Sequence, residues 1–243
     1  MNDVVSVLEQ RIQCTRLPCR VFLDDSQQIR IESFDDDQET LDRIDRVLGA
    51  HGTFELRIAA NSVDHLALTK RAKETEEREI KDEQGRVLGW WVPIEGGRDN
   101  KMFGLLGLTT REVDRDGQPC VELLAVDDPY QVDGSLLKRA YPSVDQTGRP
   151  NVTFSLTKRG GQMMAGLTAE NLPDPASGHV RQLAIIFNGR AFSAPAIRST
   201  IREHGEITGD FTKQEVEDLV NVLNSGALPV PLSQVSVEHI NGR

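Results

Sequence analysis

The stretch RQLAIIFNGRAFSAPAIRSTIREHGEITGDFTKQEVEDLVNVLNSGALPVPL, residues 181–232, decides the fold. Leu183, Ile185 and Phe187 alternate with smaller or polar neighbours and run into Asn188-Gly189. That pair accepts the positive φ angles of a two-residue hairpin turn, so a strand reverses here. The returning segment meets Pro195, which cannot donate to a ladder and marks an edge or a strand end. Thr212 and Glu215 have capping-box spacing, and Val216, Leu219, Val220 and Leu223 follow as one apolar helical stripe. Gly226 sits where a left-handed C-cap belongs, and Pro229 forbids continuation. The stretch therefore reads strand, turn, strand, capped helix, stop.

Upstream, Val5, Leu8 and Ile12 predict an amphipathic helix. Residues 19–23 and 28–32 alternate as two strands joined by Asp24-Asp25-Ser26. A helix over 38–48 follows, with Asp37 as N-cap and Gly49 as stop, then a strand carrying Phe54, Leu56 and Ile58. The order α-β-β-α-β is that of a split β-α-β unit short of its first strand. Residues 62–82 are dense in Lys, Glu and Arg and suggest a mostly solvated helix. Further strands are expected around Val121, Leu123 and Ala125, and around Val152, Phe154 and Leu156. Short helices are expected over 135–140 and 162–172. From residue 150 a β-α-β-β-α-β order recurs. The fold class is α+β: antiparallel sheets with helices on one face, of the ferredoxin-like (split β-α-β) kind.

With 28 Lys+Arg against 38 Asp+Glu the 243-residue chain carries a net charge of −10. That field argues against sequence-independent nucleic-acid binding. No apolar run is long enough to span a bilayer, and Met1-Asn2-Asp3 does not open a signal peptide. Three cysteines leave at least one unpaired. Cys14 and Cys19 bridge only if a helix end and a strand start lie together; the simpler reading is small buried hydrophobes.

The five histidines are scattered, and no zincin, P-loop, Rossmann or nucleophile-elbow pattern is present. Asp35-Asp36-Asp37 and Asp127-Asp128 invite a cation, yet carboxylates gather at helix N-termini without one. No catalytic residue, cofactor site or metal site is therefore assigned, and no enzymatic activity is expected. Trp90 and Trp91 are the notable surface candidates. Adjacent strand residues face opposite sides, so one enters a core and the other is exposed or covered. Together with Met102 they make a candidate peptide-binding surface, large in apolar area and adaptable in shape; burial of both tryptophans between two layers is the competing reading.

Several of these features occur in one order that resembles the SecD subunit of the bacterial protein-export machinery. They are Ser193-Ala194-Pro195 after the hairpin, Ile207-Thr208-Gly209 before Phe211-Thr212, and Gly226-Ala227-Leu228-Pro229 closing the helix. GRPNVTFSL at 148–156 and MAGLTAEN at 164–171 look like the family's preceding strand and helix. The match is good over 118–240 and looser over 1–60, and it carries little signal over 61–117. Asn188 stands where the family often has Asp, and both suit the turn.

The resemblance implies a domain on the periplasmic side of the inner membrane, between transmembrane helices outside this chain. It also implies SecF and the SecYEG translocon as partners, and unfolded preprotein as the client of proton-driven export, as in the resistance-nodulation-division superfamily. The alternative is a structural docking domain for translocon partners that never grips the client. On this resemblance residues 1–60 form the base together with a terminal strand within 230–243, and 61–229 form the head. The strand missing from the base is then expected upstream of Met1.

Overall fold

The computed structural model describes residues 2–100, 107–115, 117–230, 232 and 236. It opens with α1 (Asn2–Thr15), β1 (Cys19–Leu23), β2 (Ile29–Ser33), α2 (Gln38–Leu48) and β3 (Phe54–Ile58). Next come α3 (Leu66–Lys73), β4 (Glu79–Lys81), β5 (Val87–Pro93), β6 (Thr110–Arg115) and β7 (Gln118–Val126). β8 (Val132–Asp133), β9 (Leu137–Val144), β10 (Pro150–Leu156) and α4 (Lys158–Glu170) follow. The chain ends in β11 (Leu183–Phe187), β12 (Arg190–Ser193), β13 (His204–Ile207) and α5 (Lys213–Ser225).

All five residues of β11 are buried. Leu183, Ile185 and Phe187 enter the main core, while Ala184 and Ile186 enter a second one. The pleat imposes this split by sending successive side chains to opposite faces. Asn188 and Gly189 take φ of 50° and 70°, as the hairpin turn requires. Asn188 also anchors the turn, because its Oδ1 accepts from the Gly52 N–H at 2.6 Å.

β11 pairs antiparallel with β12 and β3, in the order β12-β11-β3-β8. A second antiparallel sheet runs β4-β5-β7-β6. Single bridges, Ala59 to Ala125 and Ile94 to Ala191, join the two sheets at both sides. Strands β12, β11, β3, β7 and β5 thereby close into a ring. Its filling comes from all five strands or their ends and is made of small and branched side chains, among them Ala59, Val92, Leu123, Ala125, Ile186 and Ala191. Small residues suit the tight interior of a five-strand ring. The third sheet, β13-β10-β9, packs with α1, α2, α4 and α5 around the main core.

One buried cation ties the helices together. Arg11 of α1 is 0% exposed. Its Nε donates to Ser225 Oγ at 3.0 Å, its Nη1 to Val47 O at 3.1 Å and to Ala50 O, and its Nη2 to Gly226 O at 3.0 Å. No carboxylate pairs with it among the described residues. It sits instead at the C-terminal ends of α2 and α5, where unsatisfied carbonyls and the helix dipoles favour positive charge. Burial pulls its pKa down to about 10, which leaves it charged at neutral pH. Nearby, Arg43 of α2 grips the buried Asp218 of α5, with Nη2 to Oδ1 at 2.8 Å and Nε to Oδ2 at 3.0 Å.

Several expectations are borne out in detail. Asp37 caps α2 by accepting from Thr40 N–H, and Thr212 and Glu215 form a reciprocal capping box on α5. Others are corrected. Among the described residues β1 and β2 pair only with each other, while β3 joins β11 and β8. The strands expected to share one ferredoxin-like base sheet therefore lie in two. The division at residue 60 also cuts through a shared core, since Val4, Leu8, Phe54 and Leu56 pack with Phe154, Ile185 and Leu219. Residues 137–140 begin β9 rather than ending a helix, and the charged segment holds only the eight residues of α3 before β4. Gly226 has φ 80° and ψ 175°, a region open to glycine but outside the left-handed helical cap. Cys14, Cys19 and Cys120 are free thiols, as the simpler reading has them, but only Cys19 is buried. The expected terminal strand over 230–243 lies almost wholly outside the described residues.

Replacing Arg11 leaves at least three main-chain carbonyls without their donor. We expect Arg11→Met to lower stability by about 3 kcal/mol or more in urea denaturation, with Arg11→Lys intermediate because it meets fewer acceptors. Gly52→Ala tests the same spot from the other side. Its φ is +80°, and an added Cβ would lie 2.7 Å from Arg11 Nη2 and 2.8 Å from Gly226 O. It too should destabilise.

Candidate functional site

The β9–β10 hairpin is turned by Asp145, whose Oδ1 accepts from the N–H groups of Thr147 and Arg149 at 2.7 and 3.0 Å. Gly148 supplies the positive φ of 81° that the turn needs. The capping box starts α5 beside this hairpin, so the first turn of the helix faces β9. Between them lies an open groove of about 330 Å³. Pro142, Val144, Pro150 and Val216 give it apolar walls, and Ser143, Lys213 and Glu217 complete the lining. Val144 is 60% exposed and Tyr141, on the opposite face of β9, 46%. Arg139 lies over the Tyr141 ring at 5.4 Å.

A second open groove, about 360 Å³, runs between α1 and β1 along Val5, Ser6, Glu9, Val21, Phe22 and Leu23. Phe34, 69% exposed, stands at the end of the same hairpin with Arg20 at 6.0 Å from its ring. The first groove is the stronger candidate, because exposed side chains of an edge strand continue it.

The residues singled out from the sequence fall elsewhere. Trp91 is 1% exposed in a third core with Leu68, Ala72, Ile80 and Leu124, and the Arg111 guanidinium lies 4.3 Å from its ring. It offers no face to a peptide. Trp90 points to the opposite side, half-buried against the ring core, with Arg57 at 5.6 Å from its ring. Trp91 is thus packed inside a core, while Trp90 keeps part of its ring at the surface. Met102 lies outside the described residues. Pro142 and Val144, which line the groove, were missed because their segment carries no motif.

The acidic clusters are occupied by their own backbone. Asp35 accepts from the Asp37 N–H, and Asp37 caps α2. Asp128 accepts from the N–H groups of Tyr130 and Gln131, and burial pushes its carboxyl pKa up against the pull of Arg57. No cluster of three metal-ligating side chains occurs among the described residues.

A third arrangement fastens the loop after α4. Asp64 accepts from Arg181 Nη2 at 2.7 Å and Asn61 Nδ2 at 3.0 Å, and pairs with His179 Nε2 at 2.9 Å. Burial raises its pKa, but the hydrogen bonds from Arg181, Asn61 and His179 outweigh this and hold it at about 2.

These features define a class: an α+β domain of antiparallel sheets whose notable surface is an open apolar groove beside a sheet edge. The model of the SecDF P1 head subdomain matches residues 109–230, half of the chain, and the chain belongs to that family. It is 38% identical over 118 residues to the protein translocase subunit SecD of Aquifex aeolicus (strain VF5), covering 49% of this chain and 22% of that protein. To SecD of Acidaminococcus fermentans it is 31% identical over 189 residues, covering 68% and 42%. In both cases the match spans less than half of the relative's length. Among solved structures it is similar to a chain of SecDF, described as a membrane component that enhances protein export, with a TM-score of 0.60 at 22% identity. That match covers 98% of this chain and 92% of the other. The likeness supports the fold.

Local electrostatics make two outcomes measurable. Burial pushes the Cys19 thiol up to about 11, whereas Cys14 is exposed. A thiol reagent at mildly alkaline pH should modify Cys14 quickly and reach Cys19 only on unfolding, as mass mapping of the labelled peptides would reveal. The Asp64 carboxyl is depressed from 3.8 to about 2, so its contribution to stability is complete above its ordinary value and is lost as pH falls through the folded one. Asp64→Asn should therefore flatten the acid end of the stability profile, measured by thermal unfolding between about pH 5 and pH 2.

Proposed function

We propose that this chain is an extracytoplasmic portion of a SecD-like translocase subunit, on the periplasmic side of the inner membrane, that engages unfolded preprotein during proton-driven export. The observation that carries this reading is the apolar groove lined by Pro142, Val144, Pro150 and Val216. An open channel with apolar walls suits an extended segment of no fixed sequence better than a small metabolite. SecF and the SecYEG channel are the partners this reading implies. In this reading flanking membrane anchors outside this chain connect it to them; among the described residues no helix is long and apolar enough to cross a membrane. The domain works in this scheme without cofactor or catalysis of its own.

Titration of isotopically labelled protein with a reduced, unfolded preprotein segment tests it. Backbone NMR shifts should cluster on 141–150 and the first turn of α5. Val144→Glu should weaken binding about tenfold, with stability changed by less than about 0.5 kcal/mol because the side chain is exposed. A flat titration would reject client capture and leave the docking role.

A further inference from the structure

Among the described residues β9 is an edge strand, since its sheet runs β13-β10-β9. Such a strand exposes main-chain N–H and C=O groups that readily pair with another chain. In an antiparallel pair these groups alternate in direction, with every second residue facing the free side. Ala140 faces that way, but it is already occupied. Its N–H donates to Asn224 Oδ1 at 2.8 Å, and its C=O accepts from Asn224 Nδ2 at 3.0 Å. A carboxamide carries the same donor and acceptor as a peptide group, so the Asn224 side chain stands where the backbone of a neighbouring strand would. By alternation Pro142 and Val144 share the free side, and Pro142 has no N–H to offer. Asn224 is itself fixed, because α5 is held by Arg43 on Asp218 and by Arg11 on Ser225 Oγ, the next residue.

We infer that Asn224 is an edge guard: its carboxamide fills the pairing position at Ala140, keeping β9 from pairing with a second copy of this chain. Resting on the groove reading above, the same guard obliges a polypeptide in the adjoining groove to be read through its side chains rather than its main chain.

Three measurements on the 243-residue chain test this. In Asn224→Ala, exchange of the Ala140 amide should rise about fivefold to tenfold, the loss of one hydrogen bond, and sedimentation velocity should reveal association that grows with concentration. Asn224→Asp keeps an acceptor for the Ala140 N–H and should exchange near the native rate; it serves as the folded comparison if the alanine variant is too unstable. Unchanged exchange at Ala140 in Asn224→Ala, or equal acceleration in both variants, overturns the guard. On the native protein, a preprotein peptide N-methylated at alternate amides should bind within about twofold of its parent, since no main-chain bond is at stake. A loss beyond about tenfold would mean that strand pairing holds the client and would overturn the inference. If neither peptide binds, the groove reading fails while exchange and sedimentation still decide the guard.

Discussion

The arrangement of helices depends on a single guanidinium. Arg11 brings a positive charge to a fully buried point where α1 crosses the ends of α2 and α5. Transfer of an unpaired charge from water costs several kcal/mol. Here the cost is offset without an anion, by main-chain carbonyls that helix geometry leaves without partners. Each side solves the other's problem: the two helix ends need donors, and the guanidinium offers five in a rigid fork. The space it occupies has consequences in turn. Gly52 must lack a side chain there, and His51 follows by pairing its Nε2 with Leu228 O at 2.9 Å. Residues at the two extremes of the chain are thus fixed to one point, and Asn224 lies one residue before Ser225, an acceptor of that point.

The second constraint is that the central strands serve two cores at once. A strand buried on both faces needs apolar residues throughout, and LAIIF at 183–187 satisfies that. The ring closed by the bridges at Ala59 and Ile94 leaves room inside mainly for alanine and branched aliphatics. Trp91 is consequently sent outward, into the separate core under α3, and its ring is sealed by Arg111, which also pairs with the buried Glu122 at 2.7 Å. Trp91 is therefore a structural element of the layer outside the ring, while Trp90 lies half-buried against the ring itself.

Local rules made the last third legible. Asn188-Gly189, the Thr212–Glu215 box and the apolar stripe of α5 each act within a few residues, so the sequence contains the whole interaction. The same holds for Asp37 at the start of α2. What was not legible is set by partners far along the chain. β3 reads as a base strand beside β1 and β2, yet it pairs with β11, more than a hundred residues away. Residues 135–140 combine leucines and basic residues in a helix-like pattern, and only pairing with β10 makes 137–144 a strand. The groove depends on β9 and α5 meeting, and neither segment announces it. The aromatic pair drew notice as a surface because two adjacent tryptophans in one strand cannot share a core, and the existence of a second core on the other face is a tertiary fact.

The closed edge sets the strength of any grip the groove provides. Strand addition would give a client several main-chain hydrogen bonds in register and slow its release. Side-chain contact alone offers Pro142, Val144, Pro150 and Val216, at ~1.5–3 kcal/mol for each fully buried aliphatic group of the client. Association and ordering of a flexible segment consume much of that. What remains is on the order of 4–7 kcal/mol, a dissociation constant between roughly millimolar and ten micromolar. For the proposed client, such weakness is functional. A polypeptide moving past the domain must be released at every step, and a ladder of backbone bonds would resist each register shift. A groove that reads side chains, next to an edge that a side-chain amide keeps shut, holds a chain without fixing its register.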